Sequence, residues 1–216
     1  MKGFNFPSAS AKKERKLIDG GVHSARCISI VDIGTQKGLF PNDKGEILDK
    51  RQVNITWELP DIMEVFSEEK GGQPQVISKI YPASFFIDKN NVPKSNLAKD
   101  LLSWFSDKQP DGDLPHWLDE LCIGRTALLT ISQSLNKKGV MKNKIDGVSP
   151  LPKKMTCEPQ INPSIKFDMT GTTFDDITYN KLNKWLQEQI ALSPEYAKLK
   201  GIKSPGKQEG FNDLPF

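Results

Sequence analysis

A chain of 216 residues with 37% hydrophobic and 26% charged content has the composition of a soluble globular protein with one good core and polar extensions. Thirty basic residues against 27 acidic ones leave a net charge of +3, so no overall basic field announces a polyanion partner. Three widely separated cysteines (Cys27, Cys122 and Cys157) argue against a disulfide framework, and no apolar run approaches the roughly 18 residues of a membrane span.

Residues 1–20 are polar and basic, with Lys12, Lys13, Arg15 and Lys16 and little to bury, and read as a flexible arm, either a bland leader or a contact for phosphates. Met1 to Pro7 lacks the apolar segment of a secretion signal, so the expected location is the cytoplasm, with no membrane partner. From Val22 to Gly34 the first strand carries Ala25, Cys27, Ile28, Ile30, Val31 and Ile33, and its apolar positions change phase midway, as a bulged strand requires. The second strand alternates cleanly, with Val53, Ile55, Trp57 and Leu59 on one face and Gln52, Asn54, Thr56 and Glu58 on the other. Pro60 ends it or begins an edge. Ile62 to Gln75 reads as a long acidic loop.

Val76 to Tyr81 has the β-branched and aromatic density of a third strand. Ser95 then caps a helix starting at Asn96, whose apolar stripe is Leu97, Leu101, Leu102, Trp104 and Phe105. Asp107 to Pro115 is a loop and His116 to Cys122 a short helix; Arg125 to Ile131 and Met141 to Val148 are the fourth and fifth strands, joined at Lys137-Lys138-Gly139. Strand, strand, strand, helix, strand, strand is the order of a five-stranded oligonucleotide/oligosaccharide-binding (OB) barrel, an architecture that often takes single-stranded nucleic acid on one face. The expected fold is therefore mainly β, an OB-like barrel over residues 21–152 with a helix between its third and fourth strands. Residues 153–200 read as a linker followed by helices, one opened by Asp175-Asp176 and carrying Ile177, Leu182, Trp185, Leu186 and Ile190, the last capped by Ser193-Pro194-Glu195. Residues 201–216, with Gly201, Ser204, Pro205, Gly206 and Gly210, read as a disordered tail.

Catalytic and metal patterns fail one by one. His23 and His116 pair with no nucleophile at a known spacing. Gly201 to Gln208 imitates a phosphate loop but lacks the magnesium-holding hydroxyl and follows no strand. Asp107 to Leu118 imitates a calcium loop but has Leu118 where a bidentate glutamate is needed, and no Cys or His pair has zinc spacing. The expectation is a protein that is not an enzyme and needs no cofactor or metal.

Charge is segregated along the chain. Leu135 to Met155 holds six lysines and one acid, while Glu58 to Lys70 holds five acids and one lysine. Binding a single strand takes cations for phosphates and aromatic faces for bases. Lys79 and Tyr81 share a strand face, Lys142 and Lys144 share another, Lys137 and Lys138 decorate the hairpin, and Arg51 and Arg125 lie in or beside strands. These eight residues are the expected DNA contacts, with Tyr81 stacking a base, Lys79, Lys142 and Lys144 following the backbone, and the two hairpins forming the lips of the groove. Trp57, Trp104 and Phe105 belong to core faces.

The chain ends Asn212-Asp213-Leu214-Pro215-Phe216, and this resembles the short acidic Pro-Phe tip of bacterial and phage single-stranded-DNA-binding proteins. In that family the terminal phenylalanine and carboxylate dock in basic, apolar-floored pockets on replication and repair partners. The resemblance implies the same role for Asp213, Leu214, Pro215 and Phe216, although Asn212 stands where the family usually has another acid. Together with the strand order, the chain resembles a phage-encoded single-stranded-DNA-binding protein serving replication or recombination in a bacterial host, with homo-oligomerisation left open. A non-catalytic interaction module of a phage assembly that never touches DNA is the alternative, and an accessory to an enzyme on another chain is a third.

Overall fold

The computed structural model describes residues 16–38, 44–67, 71–107, 117–136 and 139–202. Five antiparallel strands, β1 (Gly21–Gln36), β2 (Lys50–Ser67), β3 (Gly71–Pro82), β4 (Thr126–Leu135) and β5 (Met141–Ser149), form one curled sheet in the order β3-β2-β1-β4-β5. The sheet is a half-barrel. The alternation in β2 decides its inner face: Val53, Ile55, Trp57 and Leu59 are all buried, as their period of two predicts. Helix α1 (Asn96–Trp104) packs Leu97, Ala98, Leu101 and Trp104 into that concavity. The Ser95 hydroxyl accepts from the Ala98 amide at 3.1 Å, and Trp104 Nε1 donates to the Thr126 carbonyl at 2.8 Å with its ring 5.7 Å from that of Trp57.

The ends of the strand order, β3 and β5, approach one another, and α1 touches both. There Asp100 Oδ2 accepts from Lys79 Nζ at 2.6 Å and from the Tyr81 hydroxyl at 2.7 Å, tying β3 to the helix.

The phase change in β1 is real and has a purpose. Register shifts between Cys27 and Ser29 and between Asp32 and Gly34 turn the strand, so Ala25, Cys27 and Ile30 serve the half-barrel core while Val31 and Ile33 serve a second apolar cluster. That second core is built by the C-terminal extension. Strand β6 (Ile165–Phe167), which the sequence concealed within a polar linker, pairs parallel to Ser29–Val31 on β1, beyond the stretch where β4 pairs with Gly21–Arg26. Helices α2 (Asp176–Tyr179), α3 (Lys184–Ala191) and α4 (Pro194–Lys200) follow. The single helix expected from Asp175 is split, because Asn183 caps a new start by accepting from the Leu186 amide at 3.0 Å; Ile177 is consequently exposed. Leu182, Leu186 and Ile190 pack with Phe167, Met169 and Phe174, and Trp185 lies against the same cluster.

The stretch before β6 is a strap rather than a free linker. The fully buried Glu58 carboxylate accepts from the Ile161 amide (2.8 Å) and from the Asn162 amide and side chain (both 2.7 Å), and Arg26 donates to the carbonyls of Cys157 and Glu158. Burying a carboxylate is tolerable only with such donors.

Two boundaries differ from expectation. The acidic segment read as a loop from Ile62 to Gln75 is mostly ladder: Met63, Glu64 and Val65 pair with Pro74, Gln73 and Gly72, so β2 and β3 continue as a two-stranded ribbon. Pro60 is accommodated because the register slips between Leu59 and Met63, where no ladder amide is required. At the N-terminus, Ile18 lies inside the span read as a free arm, yet it is buried in the half-barrel core. Asn143 accepts from the Ile18 amide at 2.8 Å and donates to its carbonyl at 2.6 Å. Among the described residues, no helix is long and apolar enough to cross a membrane.

Candidate nucleic-acid interface

Tyr81 is not a stacking surface. It is 1% exposed within the half-barrel core, where burial first, and then the Asp100 carboxylate, push its hydroxyl far above the ordinary tyrosine range. The face shared by Ile77, Lys79 and Tyr81 is the inner face of β3, and Lys79 escapes deep burial by ion-pairing with Asp100 at the seam between β3 and α1.

The other expected cations are also engaged. Arg51 grips Asp32 with Nε and Nη2, and that hydrogen bonding raises the guanidinium above its ordinary range. Asp32 accepts the Met169 amide as well, so Arg51 is part of the seat of the C-terminal extension. Arg125 reaches the Trp104 carbonyl (3.3 Å) and Asp107 (2.5 Å) and lies 4.1 Å over the Phe105 ring, which makes it a brace for α1. Lys142 and Lys144 share a face of β5 opposite Ser134 and Ser132, as expected, and Lys144 pairs with Asp146 at 2.7 Å in the open. Lys137, Lys138, Asp213, Leu214, Pro215 and Phe216 lie outside the described residues.

The hairpins do not flank a common groove with Arg51. The antiparallel order puts the β2–β3 and β4–β5 turns at the same end of the sheet, beside the start of β1, whereas Lys50, Arg51 and Pro82 are at the opposite end. At that opposite end a cleft of about 570 Å³ is lined by Lys50, Arg51, Pro82, Ala83, Ser84, Phe86, Lys94, Ser95 and Asn96. No carboxylate is among the lining residues. Lys50 is exposed, and Phe86, at 58% exposure, is the one aromatic ring of the lining.

The segment after β3 holds this ring outward by local hydrogen bonding. Asp88 accepts the amides of Asn90 and Val92, both at 2.9 Å, with Asn91 in the left-handed region at φ 60°. The Val92 amide holds the Asp88 carboxylate below its ordinary range, so Asp88 stays ionised as the turn's acceptor and pairs with Lys94 at 3.1 Å. The Phe86 carbonyl accepts the Lys94 amide at 2.8 Å, and the Phe86 amide donates to the Ser95 hydroxyl at 3.3 Å. Phe85 packs on the core, so its neighbour Phe86 has to face out. The adjacent pair Phe85-Phe86 was the available signal: two successive aromatic rings cannot both enter one core from an extended chain.

Chemically, the cleft sets Lys50, Lys94 and Arg51 around an open aromatic face, a combination that suits a phosphodiester chain with an unstacked base. Among the described residues no group of three or more His, Cys, Asp or Glu side chains could hold a metal ion. No protein-family model and no curated protein sequence matches the chain.

Proposed function

We propose that this chain is a non-enzymatic, sequence-tolerant single-stranded-DNA-binding protein of phage replication or recombination, acting in the cytoplasm of a bacterial host. The observation that carries it is the cleft whose lining combines exposed Phe86 with Lys50 and Lys94 and holds no carboxylate. Phe86 stacks a base and the two lysines follow the adjoining phosphates, while Arg51 is held by Asp32 at the cleft wall. The curled half-barrel of five antiparallel strands supports the proposal, because it is consistent with an OB-type architecture. The tip Asp213 to Phe216 recruits replication or repair proteins by the chemistry of its family resemblance. Deleting Asn212 to Phe216 is expected to abolish that recruitment and leave strand binding intact, and unchanged pull-down of partners would refute this part.

The direct test is alanine substitution in an oligo-dT titration. Stacking is worth about 1–3 kcal/mol per base, so Phe86→Ala is expected to weaken binding by roughly 5- to 150-fold. Tyr81→Phe, whose ring is inaccessible, is expected to leave it unchanged. The reverse pattern would contradict the assignment of the cleft. The pairing of Lys79, Arg51, Arg125, Lys144 and also Lys94 with acids favours the alternative of an interaction module that never meets DNA. Loss of strand binding in a Lys50→Glu, Lys94→Glu double variant would decide against that alternative.

A further inference from the structure

The segment 86–95 leaves β3, reverses and returns to the cap of α1, and both of its ends stand in the cleft lining: Phe86 at one, Lys94 and Ser95 at the other. The ends are joined through the backbone, where the Phe86 carbonyl accepts the Lys94 amide at 2.8 Å and Ile87 bridges Pro93. Asp88 holds the reversal from inside, and its two oxygens have separate tasks. Oδ1 accepts the amides of Asn90 and Val92, which fixes the turn around Asn91. Oδ2 takes the Lys94 ammonium at 3.1 Å. The Lys94 side chain is 51% exposed and that of Asp88 21%, so an incoming anion can reach this pair and take it apart.

The two tasks act on strand binding in opposite directions. Through Oδ1, Asp88 keeps the turn closed and Phe86 presented to a base. Through Oδ2 it occupies the ammonium that a phosphate would use, so a phosphate bound at Lys94 has to displace a carboxylate. Asparagine separates the two tasks, because its amide oxygen accepts the same backbone amides but offers Lys94 no charge. Alanine removes both.

We infer that Asp88 is a positioning residue of the cleft, presenting Phe86 with one oxygen and, with the other, standing in for a strand phosphate on Lys94 until a strand displaces it. This rests on the strand-binding reading of the cleft. The test is anisotropy titration of labelled poly-dT with the full chain over a series of salt concentrations. Asp88→Asn is expected to bind about two- to fivefold tighter than wild type at low salt, the size of an exposed ion pair. Its salt dependence is expected to steepen by up to about 0.7 in log–log slope, one single-strand phosphate contact, which a change in folding alone would not produce. Asp88→Ala, with the turn released, is expected to bind about fivefold or more weaker than Asp88→Asn, as a partial loss of stacking. In a Lys94→Ala background Asp88→Asn is expected to bring no gain. A wild type that binds, with Asp88→Asn no tighter, with Asp88→Ala as tight as Asp88→Asn, or with the gain persisting without Lys94, would overturn this inference alone. A wild type that does not bind poly-dT would overturn it together with the reading of the cleft.

Discussion

Asp100 accepts hydrogen bonds from two partners on the same strand, the Lys79 ammonium and the Tyr81 hydroxyl, and all three groups are largely withdrawn from water. Tyr81→Phe removes one bond and leaves Asp100 still paired, so the expected loss is about 1 kcal/mol by chemical denaturation, against roughly 3–5 kcal/mol for Tyr81→Ala, which also opens a cavity. Equal losses would show that the hydroxyl, and not the packed ring, carries the contribution. Glu58 poses the same question more sharply. Glu58→Ala strands the donors of Ile161 and Asn162, each costing on the order of 1–3 kcal/mol where it stays buried, and the strap is expected to become protease-sensitive. A strap as resistant as wild type would mean that Arg26 and β6 suffice to hold it.

Helices α3 and α4 reach the sheet through a narrow contact at the end of β1. Gly34 has φ +71°, and a Cβ there would stand 2.4 Å from Ser193 Cβ, so backbone conformation and space both demand glycine. Gly34→Ala is expected to unseat the extension while leaving the half-barrel folded, seen as fast amide exchange over 165–200 alone. Next to it Glu195 accepts from the Thr35 amide (2.8 Å) and hydroxyl (2.6 Å). Burial works against this carboxylate, but the bonds from Thr35 outweigh it and hold Glu195 below the ordinary glutamate value of 4.5. A carboxylate lowered on docking contributes stability that is fully present above its undocked value and is lost as the pH falls through the docked one. The extension is thus expected to loosen below about pH 4.5, and Glu195→Gln to remove that pH dependence. An identical acid profile in the variant would place the titration elsewhere.

The elements differ in how plainly their residues announce them. Strand β2 and helix α1 were legible because one face of each is wholly apolar and caps or breakers stand at the ends: Ser95 before the helix, alternation through Val53 to Leu59 in the strand. The ribbon beyond Pro60 and strand β6 were not, since an exposed ribbon has no buried face to impose a period, and Ile165–Phe167 is too short to show one. Tyr81 misled for a related reason. A strand face bearing Lys79 and Tyr81 looks solvent-directed until α1 supplies Asp100, a tertiary partner that local spacing does not disclose. Phe86 escaped because its orientation follows from the Asp88 turn and not from a strand period.

At the scale of the molecule the two ends of one sheet are given different chemistry. One end holds the cationic cleft with its exposed ring; the other holds the ribbon that continues β2 and β3 and the β4–β5 hairpin, with Met63, Val65, Leu135 and Met141 exposed. The C-terminal extension covers part of the outer face between them, leaning on Val31, Ile33 and Ile80. A modest net charge of +3 is consistent with local cation placement, because the cleft lining holds Lys50, Arg51 and Lys94 and no carboxylate, although Asp32 and Asp88 pair with Arg51 and Lys94 from outside it. The proposed phosphate contacts would release counterions, so affinity for a single strand is expected to fall with salt in proportion to their number.

Single-strand binding is put to the test by fluorescence-anisotropy titration of labelled poly-dT with the full chain at two salt concentrations, with duplex DNA of the same length alongside. Tight binding to the single strand that weakens with salt, with weak binding to the duplex, is the predicted result. No binding to poly-dT at the lower salt concentration would contradict the account and leave the chain as an interaction module.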